Sequence, residues 1–142
     1  MGVTFSDEVQ RIVEPTLADR GFVLDQIDDG VDEGGRGLTV VYYRSHDTKL
    51  QIYDSVREGE INCMIAPLGA PNEFGLRSPS KKWQFVIRFV KRPDLPFEEL
   101  LDRERRERVS YESRLHWVSA LIESHFEEAR AGVLAMEKPR QQ

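Results

Sequence analysis

Glu112 and His116 stand four residues apart in a stretch with helical periodicity, the spacing that lets two ligands share one helix face. A metal centre needs further ligands, and His125, nine residues beyond His116, falls about half a turn away around the same helix. No metal site is therefore expected. Nucleophilic chemistry needs a base and an orienting group beside the nucleophile. Cys63 lies within a strand-like run, where a small buried hydrophobe is the usual role. His46 sits in a turn, His116 on a polar helix face and His125 on an apolar one, and no strand–nucleophile–helix elbow surrounds any of them. The acid pairs Asp28-Asp29 and Glu98-Glu99 fall in a loop and at a helix start, where solvation and the helix dipole account for them. Gly34-Gly-Arg-Gly37 lacks the lysine and the strand-to-helix setting of a phosphate loop. The reading is a non-enzyme with no catalytic residues and no cofactor.

The elements that would hold any site centre on an antiparallel meander. Leu38–Arg44, Lys49–Tyr53 and Ile61–Ala66 are rich in β-branched and aromatic residues, with turns around His46-Asp47 and Glu58-Gly59 between them. Before the meander, Ser6 to Arg20 reads as a helix capped by Thr4 or Ser6, with Val9, Ile12, Val13 and Leu17 on one face. Pro15 should kink or split it. Phe22–Ile27 reads as a short strand and 28–37 as a flexible hairpin tip. The segment 67–80 holds three prolines and two glycines, so it is a long loop. Trp83–Val90 reads as a last strand, followed by helices from Phe97 to about Arg108 and from about Ser110 to Met136. The predicted fold is a single α+β domain over 1–142. It has an N-terminal helix, a roughly five-stranded antiparallel meander sheet, and two C-terminal helices packed on one sheet face.

Composition narrows the partners. The chain has 142 residues, a net charge of −5 and a pI near 5.3. A general nucleic-acid binder would show a basic stripe. The nearest run, Arg103-Glu-Arg-Arg-Glu-Arg108, alternates its signs and reads as a solvated helix laced with ion pairs. A single cysteine permits no internal disulfide, and the N-terminus has no basic segment followed by an apolar one. A cytoplasmic protein with no membrane span is expected.

Two surfaces then offer themselves. Alternation along the strands puts Leu38, Val40, Tyr42, Leu50, Ile52, Ile61, Cys63, Ile65 and the Trp83 series on the helix-covered face. The opposite face carries Tyr43, Tyr53, Met64, Val86 and Arg88, residue types enriched at interfaces. A helix or the long loop of the same chain covers that face, or a partner does. In the loop, Phe74 is an apolar anchor flanked by Asn72, Glu73 and Arg77. The last helix has an apolar stripe through Tyr111, Leu115, Val118, Ile122, His125, Ala129 and Met136, widened by Trp117, Leu121 and Phe126. Such width suits contact with two things: the sheet and either the N-terminal helix or a second protomer.

Two resemblances bear on function. Val9–Leu24, with its Val-Glu-Pro helix and Gly-Phe, resembles the opening of the bacterial ribosome maturation factor family, which implies RNA association. The likeness ends before the meander. The order of a helix, Gly-Phe, Val40-Val-Tyr-Tyr43, Leu50-Gln-Ile-Tyr53 and a closing helix pair resembles small bacterial proteins of immunity type, encoded beside toxins. That resemblance implies stoichiometric binding and acidic surfaces without catalysis. The leading expectation is a protein-binding module acting through the second sheet face and the 67–80 loop, with a homodimer through the C-terminal helix or sheet face as a further possibility. The alternative is a ligand-binding protein or enzyme with a pocket between that loop and the C-terminal helices.

Overall fold

The computed structural model describes residues 2–75 and 78–137, so Leu76, Arg77 and the tail from Lys138 lie outside the described residues. Helix α1 (Phe5–Ile12) starts on a reciprocal cap: the Thr4 hydroxyl accepts from Asp7 N at 3.1 Å, and the Asp7 carboxylate accepts from Thr4 N at 3.3 Å. The chain then breaks at Val13 and restarts as α2 (Glu14–Ala18), with Pro15 in the first turn, where a missing N–H leaves nothing unsatisfied. Gly21, at φ +82°, turns the chain out of the helix.

Five antiparallel strands follow in meander order: β1 (Val23–Glu33), β2 (Arg36–Arg44), β3 (Thr48–Ser55), β4 (Glu60–Pro67) and β5 (Gln84–Phe85). A 3₁₀ turn (Val86–Phe89) leads to α3 (Phe97–Ser110) and α4 (Arg114–Met136). The α+β class and the element order are those read from the sequence. Two boundaries differ. Residues 28–37 are not a loose tip: strand pairing runs out to Glu33 and back from Arg36, because Gly34 and Gly35, at φ +60° and +90°, form a tight two-residue turn. The strand expected over 83–90 shrinks to Gln84–Phe85, since only these residues pair with β4 before the chain leaves the sheet to set Phe89 against α4.

Strand β2 is turned over relative to the sequence expectation. Arg44 pairs with Lys49, so Tyr43 lies opposite Leu50 and Val41 opposite Ile52. Cross-strand neighbours share a face, which sends Tyr43 and Val41 to the helix side and Val40 and Tyr42 to the other. Alternation sets the phase within a strand. The turn sets it between strands, and a one-residue difference inverts every side chain.

The result is a sheet with a core on each face. On one side Val41, Tyr43, Leu50, Ile52, Cys63 and Ile65 pack with α1, α2 and α4. On the other, Leu38, Val40, Tyr42, Tyr53, Met64 and Trp83 pack beneath the loop through Ala70 and Phe74. Helix α4 does meet two things, the sheet and the N-terminal helices: Thr16 and Ser119 share a 2.5 Å hydroxyl contact, and Phe22 meets Phe126 edge-on at 5.4 Å. His125 and Met136 fall outside that core, while Phe126 and Val133 lie in it. No helix among the described residues is long and apolar enough to cross a membrane.

The 3₁₀ turn sits so close to α4 that Gly132 has no room for a side chain: a Cβ there would stand 2.5 Å from Phe89 Cε1. Gly132→Ala should gain up to about 1 kcal/mol of helix propensity and lose about 1–3 kcal/mol to overpacking. The expected balance is a loss, read as a lower urea midpoint at unchanged m-value. A midpoint at or above wild type would show that Phe89 can leave α4 freely.

Candidate protein-binding surface

The second sheet face lies beneath the chain's own loop. Tyr53 and Met64 are buried under the loop, with the Tyr53 ring edge-on to Phe74 at 4.7 Å and its hydroxyl donating to Met64 Sδ at 3.7 Å. Tyr43 and Val86 are buried on the opposite, helix-covered face, where the Tyr43 hydroxyl donates to Glu14 at 3.1 Å. Of the five expected contact residues on the sheet, Arg88 alone is exposed, and it donates to the Gln84 side chain of β5. The covering of this face by the chain's own loop is the correction to the sheet-face expectation.

The loop is held by polar latches that the sequence did not advertise. Gln51, buried in β3, donates from Nε2 to the Glu73 carbonyl at 2.8 Å and accepts from Gly75 N at 3.0 Å. Lys49 Nζ donates to the Ala70 carbonyl at 2.9 Å, and Trp83 Nε1 to that of Pro71 at 2.9 Å. The Glu73 carboxylate accepts from Ser80 N at 3.2 Å. Phe74 is thus a lid on Tyr53 and Glu73 a tie within the loop. Arg77 lies outside the described residues. The loop and α4 occupy opposite sheet faces, with Lys82 and Glu137 meeting at one corner at 3.0 Å. Helix α3, expected on the sheet as well, puts no residue into either core. Among the described residues the sheet therefore fills the place where a pocket between them was expected.

Chemistry at the candidate nucleophile is suppressed. Burial pushes the Cys63 thiol up to about 12, far from a thiolate at neutral pH. The histidines have local partners: His116 Nδ1 lies 2.6 Å from Ser113 Oγ, and His125 Nδ1 lies 3.2 Å from Glu128. The β2–β3 turn is pinned to α4 through Asp47, which accepts from Arg130 Nε at 2.8 Å. Burial works to raise the Asp47 carboxyl, but the Arg130 hydrogen bond and charge outweigh it and hold the group below its ordinary value.

What the fold leaves open is β1. It is the end strand of the sheet, and its outer backbone edge has no strand beside it among the described residues. Across 11 residues it carries Asp25, Asp28, Asp29, Asp32 and Glu33 with no lysine or arginine. Val23, Leu24 and Ile27 are exposed along the same strand, at 57%, 39% and 36%. Asp25 is neutralised by Arg44 at 3.4 Å and steadied by Asn72, whose Nδ2 donates to Asp25 at 2.9 Å and to Gln26 at 2.8 Å. This is the expected loop residue that does meet the open surface. The other four acids have only neutral donors among the described residues. Asp28 accepts from Gly30 N, Asp29 from Thr39, Asp32 from Gly35 N, and Glu33 from Ser55 and Arg57 N. These bonds fix the carboxylates without cancelling their charge. The sequence signal was the run of acids without a base from 23 to 33, masked by reading its second half as a loose tip. No protein-family model, curated protein or solved structure matches the chain.

Proposed function

We propose that the protein is a non-enzymatic binding module that engages a basic partner protein stoichiometrically through the β1 ribbon. The observation that carries this is an 11-residue open edge with five carboxylates, no cation and three exposed apolar side chains. Edge strands are ordinarily kept short or blunted with lysine or proline, and β1 has neither residue. Its register shifts near Asp25 and Gly30 and its like charges discourage pairing with its own kind. A cationic partner meets the opposite situation: steering by the uncancelled charge and contact area from Val23, Leu24 and Ile27. The architectural resemblance to immunity-type proteins implies the same mode of action, occupation of a partner's surface by an acidic one.

The test compares wild type with an Ile27→Lys/Asp29→Lys double variant, both sites being exposed and outside the two cores. Captured on each from native lysate, a single stoichiometric partner should be retained by wild type. Its affinity should fall by about tenfold or more in the variant, and weaken from about 0.05 to about 0.5 M salt. Equal retention by both proteins, with equal melting curves, would sink the assignment to this edge.

A further inference from the structure

On the far side of the molecule, α3 roofs a recess that the β1 reading does not use. The cavity is about 250 Å³, with α4 as floor and residues 87–93 as one wall. Apolar surface in it is incompletely covered: Trp117 and Leu121 on the floor and Leu100 in the roof each remain partly exposed. Its charge is opposite to that of the chain. Lys91, Arg92, Arg103 and Arg108 line it against Glu104 and Glu107, a formal balance of 4 − 2 = +2 in a protein of net charge −5. Arg92 is paired with Glu104 at 3.2 Å, and Arg108 with Glu60 at 3.1 Å. Lys91 and Arg103 have no ion-pair partner among the described residues, while Arg108 lies over the Trp117 ring at 4.6 Å. Cations focused in a recess with low-dielectric walls raise the local concentration of anions.

The roof is separately built. Helix α3 has no buried residue, and among the described residues its polar ties to the rest are those two ion pairs and the Arg108–Trp117 stacking. Contacts of this exposed kind are weak, and elements held by few buried apolar contacts open most readily. The recess thus has a floor of Leu121 and Ala120 beside the Arg108-covered Trp117, two uncommitted cations and an entrance that can widen.

We propose that this recess is a binding site for a small planar aromatic anion, a carboxylate on one fused or single ring system. The volume, under the roughly 300–1,000 Å³ of drug-sized sites, admits one such ring system and its charged group. The ring lies between Leu100 and Leu121, beside the Arg108–Trp117 stack, and the carboxylate meets Arg103 and Lys91. The site is independent of the β1 edge, and either can stand without the other.

The chain has two tryptophans, so two indole N–H cross-peaks report on it in a proton–nitrogen correlation spectrum. Trp117 lines the recess, and Trp83 is buried on the opposite sheet face. Titration of the full chain with 2-naphthoate should shift the Trp117 peak saturably and leave the Trp83 peak in place. The uncharged 2-naphthylmethanol should bind about tenfold more weakly, and Lys91→Gln/Arg103→Gln should reduce naphthoate affinity by about fivefold or more, as loss of two charge-assisted contacts implies. Both residues are exposed and outside the cores, so the variant keeps the fold. Equal affinity for the charged and neutral probes, an unaffected variant, or no saturable shift at Trp117 would each overturn the proposal.

Discussion

Met64→Glu should unfold the protein or bring it close to unfolding. Met64 is wholly buried in β4, opposite Gln51 and Phe85 and in contact with the Tyr53 hydroxyl. A carboxylate there would be cut off from water among Leu38, Val40, Tyr42, Tyr53, Ala66, Ala70 and Trp83. The cation on this side, Lys49, is already committed to the Ala70 carbonyl and to Asp25. Burying an unpaired charge, or protonating it to avoid that, costs on the order of 4 kcal/mol, a large part of the 5–15 kcal/mol typical of a domain. Were the second sheet face open, the same change would leave the monomer intact and disturb partner binding alone. A urea titration separates the two cases. A midpoint near wild type would mean that the loop stands clear of the sheet, and that the face is available after all.

That contrast shows where the sequence was legible. The meander could be read because Val40-Val-Tyr-Tyr43, Leu50-Gln-Ile-Tyr53 and Ile61-Asn-Cys-Met-Ile65 combine β-propensity with turns at fixed intervals, and these features are local. The split at Pro15 and the capping by Thr4 are local as well. The phase of β2 is not local. It depends on Arg44 pairing with Lys49, a matter of how the Ser45–Thr48 corner closes: Ser45 Oγ accepts from Thr48 N at 3.1 Å and Asp47 is anchored by Arg130 from α4. Nothing within residues 38–53 announces an arginine 83 positions away. The same limit hid the loop's role. Phe74 read equally well as an anchor on its own core or as a contact for a partner, and what decides is Gln51, a polar residue buried in mid-strand because loop backbone groups satisfy both ends of its amide. The candidate edge was obscured differently. Gly30, Gly34, Gly35 and Gly37 suggested looseness, whereas two of them form the turn that extends β1 and displays its acids.

Trp83→Ala should be the most damaging truncation on the loop side, costing about 3–5 kcal/mol as large aromatic truncations in cores do. Trp83 is fully buried, meets Tyr42 edge-on at 6.0 Å, and fixes the loop through its 2.9 Å bond to the Pro71 carbonyl. Both functions fail together in alanine: the cavity opens over Tyr42 and the loop loses a tie near its middle. Trp83→Phe separates them. It keeps most of the buried area and loses the indole donor, so about 1–2 kcal/mol is expected. Because the loop and Trp83 together cover this sheet face, losing both exposes Tyr42, Tyr53 and Met64 at once. The unfolding should therefore remain cooperative, with proteolysis between 67 and 80 accelerating in step with global instability. If protease cut the loop of Trp83→Ala rapidly while the urea midpoint held, the helix-side core would be sufficient for the fold. The loop would then be a detachable cover, and the apolar face beneath it would become accessible to a partner on release.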